Sequence, residues 1–186
     1  MRRLTDVAVL ERFMTELGRA TKQPVKIYFT GGATAILHGW RQTTIDLDIK
    51  MLPESDELLR AMPRLKEKLE VNVELAAPDD FIPPLPGWQD RSLFIGQEGK
   101  VGFYHYDPYA QALAKLERGH ATDLEDAASM LKDGLIEAEK LLGLFERIEP
   151  DLYRYPAIDP TSFRRAVEEF VRAADKTPQS TRDSDP

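Results

Sequence analysis

The sequence predicts an α+β fold in which a mixed sheet is flanked by helices and followed by a helical C-terminal part. In the first 106 residues, segments with the two-residue alternation of strands are interspersed with segments whose apolar residues recur at helical spacing. After residue 107 only helical spacing recurs, and a chain of 186 residues has the size of one folded unit. We therefore expect a core at 1–106, a helical part of the same unit at 107–174, and a disordered tail at 175–186, which has nothing to bury.

The chain begins with a predicted amphipathic helix and a predicted strand. Apolar residues between 6 and 20 recur every three or four positions, and residues 25–30 are rich in strand-forming types. Gly31-Gly32 ends this strand, and a short helix is expected at 33–38. The order predicts a strand-to-helix junction at the two glycines.

The second predicted strand, residues 44–49, carries acidic side chains on one face. Because side chains of a strand alternate between its faces, Asp46 and Asp48 share one face, with Cα atoms roughly 7 Å apart. The residues predicted to face the core are Ile45, Leu47 and Ile49.

A helix and another acidic strand are predicted next. The apolar residues that mark the helix are Leu58, Met62, Leu65 and Leu69. Pro63 is expected to split or kink this helix, because it lacks the N–H of a helical hydrogen bond. Residues 71–75 alternate like a strand. The predicted core-facing residues are Val71, Val73 and Leu75, and the opposite face carries Asn72 and Glu74.

The middle of the chain contains a predicted loop and a predicted hairpin. Four prolines between 78 and 88 predict an extended loop without regular structure. Strands at 93–95 and 101–104, joined by a glycine-containing turn at 96–99, predict the hairpin.

The C-terminal part is predicted to contain four helices. The second is expected to begin at Thr122, which forms a capping box with Glu125. Its predicted apolar stripe is Leu124, Ala127, Ala128 and Leu131. The fourth helix is expected to open at Asp159-Pro160, because proline suits the first helical position.

Charge and composition exclude several classes of function. The 25 Lys and Arg against 32 Asp and Glu give a net charge of −7, which argues against a protein that coats nucleic acid through a basic surface. The absence of cysteine excludes disulfides, thiolate zinc sites and cysteine nucleophiles. No stretch approaches the roughly 20 apolar residues of a membrane helix, so we expect a cytoplasmic protein with no membrane partner.

The most informative motif combines the two glycines with the acid pair. Gly31 and Gly32 stand at a strand-to-helix junction, where glycine lets a phosphate approach the backbone closely. Asp46 and Asp48 begin 14 residues after Gly32 and are close enough to share Mg²⁺. A phosphate-binding turn beside a magnesium site is the combination that nucleotidyl transfer needs.

These motifs resemble a known superfamily. The DNA-polymerase-beta-type nucleotidyltransferases share a signature similar to Gly31-Gly32 followed by Arg41-Gln-Thr43-Thr44-Ile-Asp46-Leu-Asp48. Within that superfamily, the AbiEii and MenT toxin-type enzymes have a C-terminal motif that resembles Ala112-Leu-Ala-Lys115-Leu-Glu-Arg118 followed by Asp123-Leu-Glu-Asp126. Together the two motifs span roughly residues 28–131.

The resemblance implies a polymerase-beta-like fold and the transfer of a nucleotide from an NTP, dependent on Mg²⁺ or Mn²⁺. Asp46 and Asp48 would be metal ligands and catalytic residues. A third carboxylate is expected from a neighbouring strand, and Glu74 fits best as metal ligand and catalytic base, since it lies on a polar strand face. The alternatives for this role are Asp79, Asp80 and Asp126.

The resemblance also implies the groups that bind the triphosphate. They are the backbone of Gly31 and Gly32 and the side chains of Arg41, Thr43, Lys115 and Arg118. Lys115 would be the nucleotide-binding and catalytic lysine, and Asp126 an acid that contacts or supports the nucleotide site. Gly32 stands where many members have serine, so the turn supplies no side-chain hydroxyl for a phosphate.

The expected partners follow from the same resemblance. They are a nucleoside triphosphate, a tRNA or protein acceptor, and a cognate antitoxin, as for the toxin of a toxin–antitoxin system. An alternative from another class is a catalytically degenerate module that binds a nucleotide or a partner protein. Turnover in the presence of Mg²⁺ separates the two hypotheses.

Overall fold

The computed structural model describes residues 4–176. Its strands are β1 (Val25–Thr30), β2 (Asp46–Leu52), β3 (Asn72–Leu75), β4 (Leu93–Glu98) and β5 (Val101–His105). Its α-helices are α1 (Val7–Ala20), α2 (Gly31–Leu37), α3 (Asp56–Leu69), α4 (Trp88–Arg91), α5 (Pro108–Arg118), α6 (Ala121–Lys132), α7 (Ala138–Ile148) and α8 (Pro160–Lys176). Within this range, no helix is both long and apolar enough to cross a lipid bilayer.

The strands form one mixed sheet in the order β3-β2-β1-β5-β4. β1 pairs antiparallel with β2 and parallel with β5, while β3 runs parallel to β2 and β4 antiparallel to β5. Parallel neighbours need a crossover connection, which α3 supplies between β2 and β3. The predicted α+β fold is confirmed, with helices flanking a mixed sheet and a helical C-terminal part.

The two faces of the sheet bury separate apolar clusters. Along β1, Ile27 and Phe29 join a cluster with α1 and α3 on one face. Tyr28, which points to the other face, joins a cluster built mainly from α5 to α8. The C-terminal helices therefore cover one face of the sheet, and the N-terminal helices cover the other.

Local sequence signals set the starts of two helices near the sheet. Asp6 accepts a hydrogen bond from the Val9 N–H at 2.9 Å and caps α1. Asp107 caps α5 in the same way, accepting from the Tyr109 N–H at 3.0 Å. Pro108 then occupies the first turn, where a missing N–H leaves no hydrogen bond unmade.

The prediction that Pro63 splits or kinks its helix is wrong, because α3 runs unbroken from Asp56 to Leu69. Pro63 is solvent-exposed, so water can bind the carbonyl left without its helical partner. The four predicted apolar residues are all buried on the opposite side, before and after the proline. Their packing holds the helix together across the missing hydrogen bond.

Two predictions about strand faces are also wrong. Ile45 lies just before β2 and is 61% exposed, although it was expected in the core. Leu75 is 58% exposed, whereas Asn72 is buried. β3 is a four-residue edge strand, so packing covers its first two residues and leaves its last two open to solvent.

The predicted start and buried face of α6 need correction. The helix begins at Ala121 rather than at Thr122, and the proposed capping box is absent. Leu124 is exposed, while the buried residues of the helix are Asp123, Asp126, Ala127 and Met130. The buried face is rotated because the two acids are held inward by basic side chains of α5.

Several predicted boundaries shift as well. The segment at 78–88 contains a 3₁₀ helix, Pro78–Asp80, and ends where α4 begins. The prediction that this segment lacks regular structure is therefore wrong. Proline is tolerated there because it opens the helix. The hairpin is confirmed, but β4 extends to Glu98 and narrows its turn to two residues. α8 continues through Lys176, past the expected start of the tail, and the rest of that tail at 177–186 lies outside the described residues.

Candidate active site

Acidic side chains from two neighbouring strands lie side by side. Asp46 and Asp48 are both half-buried on β2. The parallel register of β2 and β3 places Glu74 beside Asp48 and Asn72 beside Asp46. Thr30, the last residue of β1, pairs with Asp48 from the other side. The structure therefore brings all three predicted carboxylates to one region of the sheet.

Asn72 joins two of these carboxylates, a role that the sequence analysis missed. Its side-chain amide donates a hydrogen bond to Asp46 Oδ1 and another, of 3.2 Å, to Glu74 Oε1. The sequence signal was its position two residues before Glu74 on the same strand. Asn72 thus holds the two acids in place while separating them with N–H donors.

The surroundings of Asp48 disfavour the charged form of its carboxyl group. Burial, together with the negative charges of Asp46 and Glu74, raises the pKa of the Asp48 carboxyl to about 6. Arg118 and Lys115 act in the opposite direction but do not cancel the effect. A cation between Asp46 and Asp48 would relieve this repulsion.

The donor set fits a divalent cation in part. Asp46 and Asp48 offer carboxylate oxygens, the ligands that Mg²⁺ prefers. In the described part of the chain, no three His, Asp or Glu side chains are grouped closely enough to hold a metal ion. Asp46 and Glu74 instead accept hydrogen bonds from the Asn72 amide that lies between them.

The glycine turn lies directly against the acid pair. β1 ends at Thr30 and α2 begins at Gly31, which has a left-handed φ of +56°. A Cβ atom on Gly31 would lie 2.9 Å from Asp48 Oδ2. Only glycine allows this backbone conformation together with so close an approach to the carboxylate.

Gln111 on α5 fixes the glycine turn from behind. Its side-chain Oε1 accepts the Gly31 N–H at 3.0 Å, and its Nε2 donates to the Tyr106 carbonyl at 2.8 Å. Gln111 is buried, and it also donates to Thr34 Oγ1 at 3.3 Å. The Gly31 N–H is therefore already hydrogen-bonded within the protein. The Gly32 N–H takes no part in this contact with Gln111.

Basic side chains and acids of α5 and α6 form a connected network beside the turn. Lys115 Nζ lies 2.6 Å from Asp126 and 3.1 Å from Asp123, and its side chain is only 4% exposed. Arg41 Nη2 lies 2.6 Å from Asp126, and Arg118 Nη2 lies 2.8 Å from Asp123. Three cations and two carboxylates leave this network with a net charge of +1. We call these five residues the cation network.

One cleft of about 420 Å³ collects most of these groups. The predicted site residues on its wall are Gly31, Gly32, Arg41, Thr43, Asp46, Asp48, Lys115 and Arg118. Residues on the wall that the site prediction lacked are Leu4, Thr44, Ile45, Thr122 and Asp123. Two predicted residues, Glu74 and Asp126, do not line the cleft. Asn72 joins Glu74 to Asp46, and Asp126 pairs with Lys115.

The alternatives for the third carboxylate are engaged elsewhere. Asp79 forms an ion pair with Lys50 at 2.7 Å. Asp80 accepts a hydrogen bond from the Ala77 N–H at 2.8 Å and so closes the 3₁₀ helix. Asp126 pairs with Lys115 and Arg41. None of the four candidates lines the cleft, but Glu74 is the register partner of Asp48.

The comparison with protein families gives a decisive match. A family model described as a nucleotidyltransferase of unknown function, DUF6036, matches residues 6–173. The chain belongs to this nucleotidyltransferase family. No significant match was found among curated proteins or among solved structures. Membership in this nucleotidyltransferase family implies a nucleotide substrate, and the matched range includes the acid pair, the glycine turn and the cation network.

Proposed function

We propose that this nucleotidyltransferase moves a nucleoside monophosphate from an NTP to a hydroxyl group and releases pyrophosphate, with Mg²⁺ or Mn²⁺ as cofactor. The observation that carries the proposal is the shared cleft, which is lined by the acid pair, the glycine turn and the cations Arg41, Lys115 and Arg118. Acids and cations in one cleft match the metal and the phosphates of a metal-bound triphosphate.

Asp46 and Asp48 are the proposed metal ligands. A bound divalent cation would orient the phosphates and neutralise the charge that develops on the leaving pyrophosphate. Asp48 also meets the Gly31 backbone closely, so the acid pair and the turn form one rigid edge of the cleft. Glu74 is the proposed catalytic base or third ligand, acting from its place beside Asp48 on the neighbouring strand.

Arg41, Lys115 and Arg118 are the proposed triphosphate ligands, together with Thr43 and the Gly32 backbone. Arg41 and Arg118 are partly exposed and keep N–H donors free to face the cleft, because each guanidinium carries five. Lys115 has three donors, of which Asp123 and Asp126 take two. The net positive charge of the cation network favours an anionic ligand.

The proposed acceptor is a hydroxyl of tRNA or of a protein, and the proposed biological role is that of a toxin controlled by an antitoxin. Both rest on the resemblance of the α5 and α6 motif to the AbiEii and MenT toxin-type enzymes. A chain of net charge −7 favours a small contact on RNA, such as the end of a tRNA, over an extended one.

A second candidate is a nucleotide-binding or protein-interaction module without catalysis. The specific observation in its favour is Asn72, which lies between Asp46 and Glu74 and keeps them apart. This candidate predicts NTP binding with no transfer, even at saturating Mg²⁺.

The two candidates are separated by incubating the protein with each labelled NTP, Mg²⁺ and total RNA or lysate. We expect a labelled acceptor with the wild type and none with Asp46→Asn. Asp56→Asn is the matched control, because Asp56 is an exposed residue of α3 whose ion pair with Arg60 is a surface contact of 3.8 Å. Unlabelled acceptors throughout, together with measurable NTP binding, would favour the second candidate.

A further inference from the structure

Gly32 lacks the space for any side chain. A Cβ atom built on it would lie 1.9 Å from Thr44 Oγ1 and 2.7 Å from Thr44 Cβ. Heavy atoms that are not bonded to one another do not approach so closely. The hydroxyl of Thr44 therefore occupies the volume that a side chain of the glycine turn would fill.

Thr44 is held in this position by its backbone. Its N–H and carbonyl form both hydrogen bonds of an isolated antiparallel bridge with Thr5, at 2.9 and 2.8 Å. Thr5 itself is fully buried, so the bridge is anchored in the body of the protein. The backbone of Thr44 cannot withdraw from Gly32 without breaking this bridge.

The Thr44 hydroxyl also borders the acid pair. It donates to the Asp46 carbonyl at 3.1 Å, and Thr44, Gly32 and Asp46 all line the same cleft. A hydroxyl carries one rotatable proton, which can turn to whichever acceptor is stronger. A phosphate oxygen is a stronger acceptor than a backbone carbonyl because it is charged.

We propose that the Thr44 hydroxyl is a phosphate-binding group of this site, donating its proton to a non-bridging oxygen of the NTP triphosphate. The glycine turn thereby obtains the hydroxyl that it lacks, from a residue that lies directly against it. This proposal rests on the proposed function, since it requires an NTP in the cleft. It adds Thr44 to Arg41 and Thr43, the neighbouring residues already proposed as triphosphate ligands.

The first test measures binding of ATP, GTP, CTP and UTP, each with Mg²⁺, by titration calorimetry without an acceptor. For the NTP that binds the wild type, Thr44→Val should weaken affinity about 10-fold to 100-fold, as expected for a hydrogen bond to a charged group. Thr44→Ser keeps the hydroxyl and should remain within about threefold of the wild type.

Thr5→Val is the matched control. It removes a hydroxyl from the other side of the same bridge, and within the described chain this hydroxyl has no hydrogen-bond partner. We expect its NTP affinity to equal that of the wild type. A second comparison uses the nucleoside of the same base, for which Thr44→Val and the wild type should bind equally, because no phosphate is present.

The sharpest test moves the hydroxyl from position 44 to position 32. Gly32→Ser alone should impair binding by steric conflict with Thr44, and Thr44→Ala alone should lose affinity as Thr44→Val does. In the double variant Gly32→Ser/Thr44→Ala, the Thr44 hydroxyl is removed and a serine at position 32 has room to supply one in its place. If Thr44→Ala loses affinity a hundredfold, the double variant should bind at least tenfold more tightly than Thr44→Ala.

Three outcomes would overturn the proposal. The first is a Thr44→Val variant that matches the wild type in NTP affinity, and the second is a Thr44→Val variant that loses affinity for the nucleoside as much as for the NTP. The third is a double variant that binds no better than Thr44→Ala. If the wild type transfers label while any of these holds, the proposed function stands and only the role of Thr44 fails. If the wild type binds no NTP, both fail.

Discussion

Two buried regions of this nucleotidyltransferase use opposite chemistry. Between the sheet and helices α1 and α3, the core consists of apolar side chains, among them the fully buried Phe13, Leu17 and Phe29. At the contact of α5 with α6, Lys115 is buried against Asp123 and Asp126. The first region gains free energy of folding from every apolar atom removed from water. The second takes charges out of water, which stabilises a protein only when each charge is fully partnered.

The difference is the one expected where a fold gives up stability for a binding site, which is the role we propose for this region. An apolar contact between α5 and α6 would hold the helices together at least as well as ion pairs. The ion pairs instead place Arg41, Lys115 and Arg118 in the same cleft as the acid pair. We infer that the apolar core carries the stability and the cation network carries the binding, and the following predictions test that division.

The largest expected effect on stability comes from the apolar core. Phe13→Ala should lower the free energy of unfolding by about 3–5 kcal/mol, because it removes a buried aromatic ring and leaves a cavity. Denaturant titration measures this loss. The folded fraction should keep the NTP affinity of the wild type, since Phe13 lies on α1 and does not line the cleft. A marked loss of affinity in folded protein would break the division between the two regions.

Lys115→Met should affect both stability and binding. We expect the free energy of unfolding to fall by about 2 kcal/mol, less than for an isolated buried pair, because Arg41 and Arg118 still partner the two acids. NTP affinity should fall about 10-fold to 100-fold. Lys50→Met is the matched control: Lys50 also pairs with an aspartate, at 2.7 Å, but lies outside the cleft. Equal NTP affinities in the two variants would remove Lys115 from the site.

The smallest and most specific effect concerns Asp48. Because its pKa is raised to about 6, the folded protein holds a proton that the unfolded chain releases near pH 4. Ionisation of Asp48 therefore lowers stability as the pH rises from about 4 to about 6. Asp48→Asn should then be more stable than the metal-free wild type at pH 7, by about 1 kcal/mol after allowing for solvent screening.

Thermal unfolding of both proteins at pH 4 and pH 7, without divalent cations, checks this prediction. The melting temperature of Asp48→Asn should exceed that of the wild type by about 2–4 °C at pH 7, and the difference should vanish near pH 4. Mg²⁺ should raise the melting temperature of the wild type alone. An Asn variant that is less stable than the metal-free wild type at pH 7 would show that Asp48 is not repelled by its neighbours.

The sequence predicts the fold because its signals are local. The alternation in β2 and the helical spacing in α3 each depend on residues a few positions apart, and burial follows them closely. The errors occur where tertiary packing overrides the pattern. Leu75 alternates correctly but belongs to an edge strand, and Leu124 has the right spacing but lies on the exposed side of α6.

The same distinction between local signals and long-range packing applies to the candidate site. Asp46 and Asp48, two residues apart on a strand, could be paired from the sequence alone. Asn72 and Gln111 acquire their roles only through contacts between segments distant in the chain. The β2–β3 register brings Asn72 to Asp46, and the packing of α5 behind the turn brings Gln111 to Gly31. No spacing in the sequence encodes either contact.

The central claim is that the cleft transfers a nucleotide, and the position of the transferred label tests it directly. The wild type and Asp46→Asn are incubated with acceptor and Mg²⁺, using the same NTP labelled either at the α-phosphate or at the γ-phosphate. We predict that the wild type transfers only the α label to the acceptor, that the γ label appears in pyrophosphate, and that Asp46→Asn transfers neither. Appearance of the γ label in the acceptor, or equal transfer by both proteins, would contradict this assignment.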